Sequence, residues 1–322
     1  MAAQGQTLMV RWVRRAARAV HPGAVARYLA GRTTARPEAP PEPADPLAPF
    51  QTLIAGGRAA GLQRPTLFLS FDCDTDLDFD AALEVKRFLD ALGIKATWAV
   101  PGVQIEKGAR TYQAIAASGD EFMNHGYLPH TAWEGDRYVS VTWYHEMAPE
   151  AVSTDIANGD AAIRRVLAAA PTGFRAPHFG LFSEPSQLDL VWGTARKLGY
   201  TYCSTTLPAY GLEHGSTVDV AGLIELPTFG STAAPTCVLD SWTYLTDRRQ
   251  YALGEQYAEL MCETVDRIVA AEAPVLLTWY ADPSHVAGQA PFERAMRHLV
   301  AAGVGSVYGR DAARLARAAA AA

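Results

Sequence analysis

Acidic and imidazole side chains gather at two places in this 322-residue chain where their spacing suits metal or acid–base chemistry. The first is Ser70-Phe71-Asp72-Cys73-Asp74-Thr75-Asp76. If the stretch is extended, alternation places Asp72, Asp74 and Asp76 on one side. Three like charges at one strand end raise one another's pKa values, and a bound cation is the simplest relief. A solvated acidic turn is the plainer alternative. The second place is Asn124-His125-Gly126-Tyr127-Leu128-Pro129-His130. Two imidazoles added to one carboxylate make the ligand set of a catalytic zinc with a position open to water. Side chains five residues apart point about 140° apart on a helix, so His125 and His130 can meet one ion only from an irregular loop, as Gly126 and Pro129 favour.

These residues need rigid elements to aim them. Short β-rich runs at 67–71, 96–100, 121–124, 173–175, 201–203 and 275–280 alternate with helical patterns at 81–92, 109–117, 156–170, 188–198 and 256–271, several closed by Gly or Pro. At least five such units predict an α/β fold, a distorted (β/α) barrel rather than a dinucleotide-binding sheet, because no GxGxxG follows the first strand. In such barrels chemistry sits where strands end, and Asp72 and His125 fall at those ends.

Composition bounds the function classes. Hydrophobic residues make up 49% and charged residues 19% of the chain, as in ordinary globular proteins. The net charge of −6 is uneven: residues 1–36 hold seven Arg and no acid, so the rest carries −13. So acidic a body excludes nucleic-acid binding as its main task. The four cysteines form no CxxC pair and read as free, buried thiols. Residues 8–20 read as a basic amphipathic helix within an N-terminal extension over 1–35, either resting on anionic lipid or packed on the domain. Residues 36–49, with six prolines, read as a linker, and the catalytic domain is expected over 50–322. Arginines interrupt any signal-peptide core, so a cytoplasmic location is expected, with peripheral contact at the inner membrane face as an option.

Taken in order over roughly residues 66–310, the strand-end motifs resemble those of the polysaccharide deacetylase family, the NodB-like carbohydrate esterases. The resemblance implies Asp72 as general base and Asp74 as metal ligand. The spaced Asp-x-Asp form is similar to the branch with peptidoglycan deacetylases and allantoinase-like amidohydrolases. It further implies His125 and His130 as ligands, although they stand one residue further apart than is usual. In Phe174-Arg175-Ala176-Pro177-His178 it implies that Arg175 orients the base and that the main-chain N–H of His178 faces the oxyanion. In Asp240-Ser241-Trp242 it implies that Asp240 tunes a catalytic imidazole and that Trp242, together with Tyr127, walls the pocket. The last motif departs from the family: Asp282 occupies the position of a His before Pro283, and His285 follows three residues on. An imidazole with an ordinary pKa of ~6.5 suits proton donation near neutral pH, so His285 is favoured as the general acid over Asp282.

The function this implies is removal of an N-acetyl or N-formyl group from an amino sugar, with one divalent metal, Zn²⁺ first, as cofactor. The expected substrate is a sugar nucleotide or a lipid-linked sugar. An allantoinase-like small-molecule amidohydrolase and a silent carbohydrate-binding barrel are the alternatives. Trp133, Tyr138, Trp143, Tyr144 and His145, between the second and third motifs, belong either to a packed loop or to a surface that stacks on sugar rings.

Overall fold

The computed structural model describes residues 45–320. The basic extension and most of the proline-rich stretch lie outside these residues. Among the described residues thirteen strands occur in the order β1 (Thr66–Asp72), β2 (Ala96–Val100), β3 (Glu121–Asn124), β4 (Thr131–Trp133), β5 (Tyr138–Ser140), β6 (Gly173–Arg175), β7 (Tyr202–Ser204), β8 (Val218–Val220), β9 (Leu223–Glu225), β10 (Leu245–Asp247), β11 (Ala252–Leu253), β12 (Leu276–Ala281) and β13 (Gly305–Ser306). Nine of them form one sheet, ordered β12-β1-β2-β3-β6-β7-β9-β8 with β13 beside β1. Its pairings are parallel except for β8 against β9. β1 is buried along its whole length, which matches its nearly unbroken apolar run, because helices cover a parallel sheet from outside.

The strand path is open, but residues 226–229 bridge the gap. The Leu226 N–H donates to Cys203 O, the Thr228 N–H to Thr206 O and the Phe229 N–H to Thr278 O, at 2.8–3.0 Å. This irregular segment joins the β7 side to β12 and curls the sheet into the expected distorted barrel. Further down, Phe50 stacks on Phe229 at 5.3 Å, and Leu47 is also buried, so the packed body includes the end of the proline-rich stretch.

The six strand runs expected from sequence match β1, β2, β3, β6, β7 and β12 to within one residue at either end. The helix expected at 81–92 begins earlier, at Asp76, because Thr75 and Asp78 form a reciprocal capping box. Two features differ from expectation. Asp76 belongs to that first helical turn and pairs with Lys107 Nζ at 2.9 Å, so it does not join Asp72 and Asp74. Of the four free cysteines, Cys73 and Cys203 are buried, whereas Cys237 and Cys262 are only half-buried. Two short hairpins, β4–β5 and β10–β11, were not foreseen; both rise at the C-terminal end of the barrel and border the cavity there.

Candidate metal and acid–base site

Parallel register brings the strand ends together. Phe71 pairs with Ala281, so Asp72 and Asp282, the next residue of each strand, become neighbours. Asn124 pairs with Phe174, which sets His125 beside Arg175. The result is a cavity of about 770 Å³ at the C-terminal ends of the strands, with Asp72, Asp74, His125, His178, Trp242 and Asp282 among its lining.

Asp74 is fixed through its backbone. Its carbonyl oxygen accepts from Thr131 Oγ1 at 3.0 Å and from Gln104 Nε2 at 3.1 Å. Its Oδ1 lies 3.4 Å from His125 Nε2 and 3.2 Å from His130 Nδ1. All three side chains are buried, and their ligand atoms lie within 4.8 Å of one another. A tetrahedral ion with ligand bonds of ~2.1 Å has ligand–ligand edges of about 3.4 Å, so the spacing fits one. The electrostatics point the same way. His125 Nδ1 faces the Arg175 carbonyl oxygen at 2.9 Å, which makes Nδ1 the N–H donor and turns Nε2 toward the acids. Nε2 faces two carboxylates, Asp74 at 3.4 Å and Asp72 at 3.9 Å, which favour a positive charge there, carried by a second ring proton or by a metal ion. The residues therefore fit a divalent metal.

The loop carrying His125 and His130 owes its shape to three residues without an obvious sequence signal. Asp155 accepts the N–H groups of Tyr127 and Leu128 at 3.2 and 2.9 Å, and the Tyr144 hydroxyl at 2.7 Å. Asn124 Oδ1 accepts the Gly126 N–H at 2.9 Å. Gly126 itself has φ +79°, and a Cβ on Gly159 would come 2.4 Å from its carbonyl oxygen. This backbone lets two imidazoles five residues apart meet at a ring-centroid distance of 4.3 Å.

Arg175 is fully buried and reaches across the barrel from β6 to β1. Its Nε lies 3.7 Å from Asp72 Oδ1, and a second nitrogen donates to Ser70 Oγ. The guanidinium also sits over the rings of Tyr280 and Phe179, at 4.9 and 5.1 Å. Burial raises the Asp72 pKa, and the Arg175 charge opposes that rise. For Asp74, burial alone would raise the pKa, but the charges and hydrogen bonds of His130 and His125 hold it well below the usual carboxylate range. His178 takes the left-handed backbone region at φ +51°, and its ring packs on Trp143 at 4.3 Å.

The last motif is arranged differently from the expectation that favoured His285. Asp282 lines the cavity. His285 is fully buried outside that lining, with Trp242 and Tyr251 packed edge-on at 4.5 and 4.3 Å. Ser241 links the two: its Oγ accepts the Asp282 backbone N–H at 3.0 Å and lies 3.0 Å from His285 Nδ1. Burial drives the His285 pKa down to about 3, so the ring is neutral near pH 7. Burial, with Asp78, Asp74, Asp72 and Asp240 around it, pushes Asp282 well above the usual carboxylate range. Asp240 accepts from the Thr243 N–H at 2.7 Å and the Tyr280 hydroxyl at 2.8 Å. Tyr127, expected in the pocket, lies outside it: its ring crowds Gly102 and its hydroxyl lies 3.4 Å from Glu106 Oε2. From the aromatic insertion, Tyr138 and Trp143 line the cavity, Tyr144 is buried against Asp155, and Trp133 stays exposed on the β4–β5 hairpin.

Comparison with known proteins follows the same outline. The family model for polysaccharide deacetylases matches residues 60–203, from before β1 to within β7. Among solved structures, PuuE allantoinase shares 12% identity, with 89% of this chain and 98% of that one covered and a TM-score of 0.59. A probable polysaccharide deacetylase from Pseudomonas aeruginosa PAO1 shares 12% identity, with 85% and 94% covered and a TM-score of 0.57. At these identities the likeness is one of fold. No curated protein matches the sequence.

Proposed function

We propose that the chain, whose residues 60–203 match the family model for polysaccharide deacetylases, is a metal-dependent hydrolase removing an N-acetyl or N-formyl group from an amino sugar. The observation that carries this reading is the meeting of Asp74, His125 and His130 beside the Asp72–Arg175 pair, with Asp72, Asp74 and His125 lining the cavity. Asp74, His125 and His130 would hold the ion, zinc by preference for this ligand set. A bound divalent ion supplies Lewis-acid polarisation of the amide carbonyl and of the attacking water.

The chain's own residues do the rest. Asp72, held in place by Arg175, accepts the proton of the water. The main-chain N–H of His178 donates to the developing oxyanion. Asp282, kept protonated by its surroundings, delivers a proton to the departing amine, and Ser241 positions it from behind. His285 stays neutral and supports Ser241. Asp240 acts one step removed, through Tyr280, whose ring covers Arg175. Trp242 offers a flat apolar wall for the sugar.

We infer a sugar nucleotide or lipid-linked sugar as the substrate. The β4–β5 and β10–β11 hairpins are bridged at the cavity by Asp136 and Arg249, 2.8 Å apart, which suits a single sugar unit better than the middle of a long polymer. Among the described residues no helix is long and apolar enough to cross a membrane, and the expected lipid contact of residues 8–20 lies outside them.

The test is an acyl-release screen with metal-loaded and chelator-treated protein on N-acetyl and N-formyl amino sugars, free, nucleotide-linked and lipid-phosphate-linked. Metal-dependent release of acetate or formate is the expected result. Opening of a cyclic ureide with no acyl release would point to an allantoinase-like activity, and sugar binding without turnover to a binding barrel.

A further inference from the structure

Two guanidinium groups border the cavity without an ion-pair partner among the described residues. Arg137 comes from the β4–β5 hairpin and Arg248 from the β10–β11 hairpin, so separate elements bring them to one rim. Their neighbour Arg249 differs, since Asp136 neutralises it at 2.8 Å. Asp247, the acid nearest to Arg248 in sequence, already accepts the backbone N–H groups of Arg249 and Gln250 at 2.8 and 3.3 Å. In a body carrying −13 outside its first 36 residues, this cavity gathers Arg137, Arg248 and Arg249, with Glu134 and Asp247 as the lining acids from the same hairpins.

The floor of the cavity is acidic, whereas its rim is mixed, with Glu134 and Asp247 beside the arginines. Its floor holds Asp72, Asp74 and Asp282, which repel a second anion placed close to them. A negatively charged group entering the cavity therefore finds its favourable place at the rim, and a guanidinium binds phosphoryl or carboxylate oxygens in a two-pronged fork. The same rim carries Tyr138, with Trp133 packed edge-on against it at 5.1 Å, an aromatic surface for the sugar between anion and amide.

We propose that Arg137 and Arg248 form an anion-binding subsite, so that the pocket selects amide substrates bearing a phosphoryl or carboxylate group. This deepens the hydrolase reading and rests on it. The anion docks at the rim, the sugar lies against the aromatic wall, and the amide is delivered to the floor.

Three probes separate the possibilities: N-acetylglucosamine, which is neutral, N-acetylglucosamine 1-phosphate, and N-acetylmuramic acid, which carries a carboxylate. Binding to the metal-loaded full chain is measured by calorimetry, and acetate release is followed in parallel. At least one anionic probe is expected to bind about tenfold or more tightly than the neutral sugar, and the better of the two identifies phosphoryl or carboxylate. The preference should shrink as salt is raised and vanish in Arg137→Gln/Arg248→Gln, with neutral-sugar binding unchanged. An Arg137→Lys/Arg248→Lys variant should restore part of it and guards against misfolding as the cause. Equal binding of all three probes, no binding of any, or a preference that survives in the Gln variant overturns the subsite. Acetate release that persists without any anion preference leaves the hydrolase reading standing alone, whereas an arginine-dependent preference without acyl release defeats the hydrolase reading and supports the subsite.

Discussion

At the scale of single residues, the outcome turns on what burial does to two neighbours at the end of β12. Burial among other acids raises the Asp282 pKa well above the usual carboxylate range, while burial behind Trp242 lowers that of His285 to about 3. Asp282→Asn is therefore expected to cut amide hydrolysis by ~10²–10⁴-fold while sparing an acyl ester whose alkoxide leaves more easily. Equal losses on both substrates would remove Asp282 from the acid role. His285 makes a separate prediction about stability. Its pKa is about 3 in the fold against an ordinary 6.5, so between those values the unfolded chain binds the proton that the native state refuses. This group's contribution is present above pH 6.5 and is lost as pH falls toward 3, with a slope of at most about 1.4 kcal/mol per unit. Relative to the parent, metal-free His285→Gln should gain stability steadily as pH drops through that window, as read by denaturant unfolding at several pH values. A pH-independent difference would contradict the buried neutral imidazole. The places of Asp72, His125 and Arg175 were legible because each stands at a strand end, whereas His130 meets Asp74 and His125 only through the shape of its loop. The sequence misled at His285 because an ordinary imidazole pKa says nothing of burial, and at Asp76 because the capping box of Thr75 and Asp78 starts a helix there.

At the scale of elements, the metal-facing loop depends on the helix Pro149–Leu167 packed beneath it. A Cβ at Gly159 would stand 2.3 Å from Asn124 Oδ1 and 2.4 Å from the Gly126 carbonyl oxygen. Gly159→Ala should therefore push the His125 loop away, cost about 1–3 kcal/mol in stability and weaken metal retention. Gly193→Ala is the matched control, because the nearest atom to its Cβ lies 3.9 Å away in the helix Pro185–Lys197. It should leave metal content unchanged and stability equal or higher. Parallel melting curves and metal analysis decide; equal behaviour of the two variants would mean that the loop is not held in this way. The long buried strands were legible as β-rich runs. The two hairpins that border the cavity were not, since strands of two or three half-exposed residues leave no periodic pattern.

At the scale of the whole molecule, a parallel sheet closed by the irregular segment 226–229 gathers acids, imidazoles and arginines from distant parts of the chain at one end. Leu47 and Phe50 are buried in the packed body, and deletion of residues 1–44, which spares them, is expected to leave a folded protein with its turnover of soluble substrates intact. Deletion through Phe50 should instead destabilise it, because the stack on Phe229 is lost; melting temperatures of the two truncations check this. The central claim is that Asp74, His125 and His130 hold the ion while Asp72 moves the proton. Metal content and acyl release measured together on Asp72→Asn test it most directly. The account predicts metal retained at the parent's stoichiometry with turnover lowered by ~10²-fold or more, since an amide of the same shape cannot accept the proton of the water. Turnover within a few-fold of the parent, with the metal still bound, would contradict it.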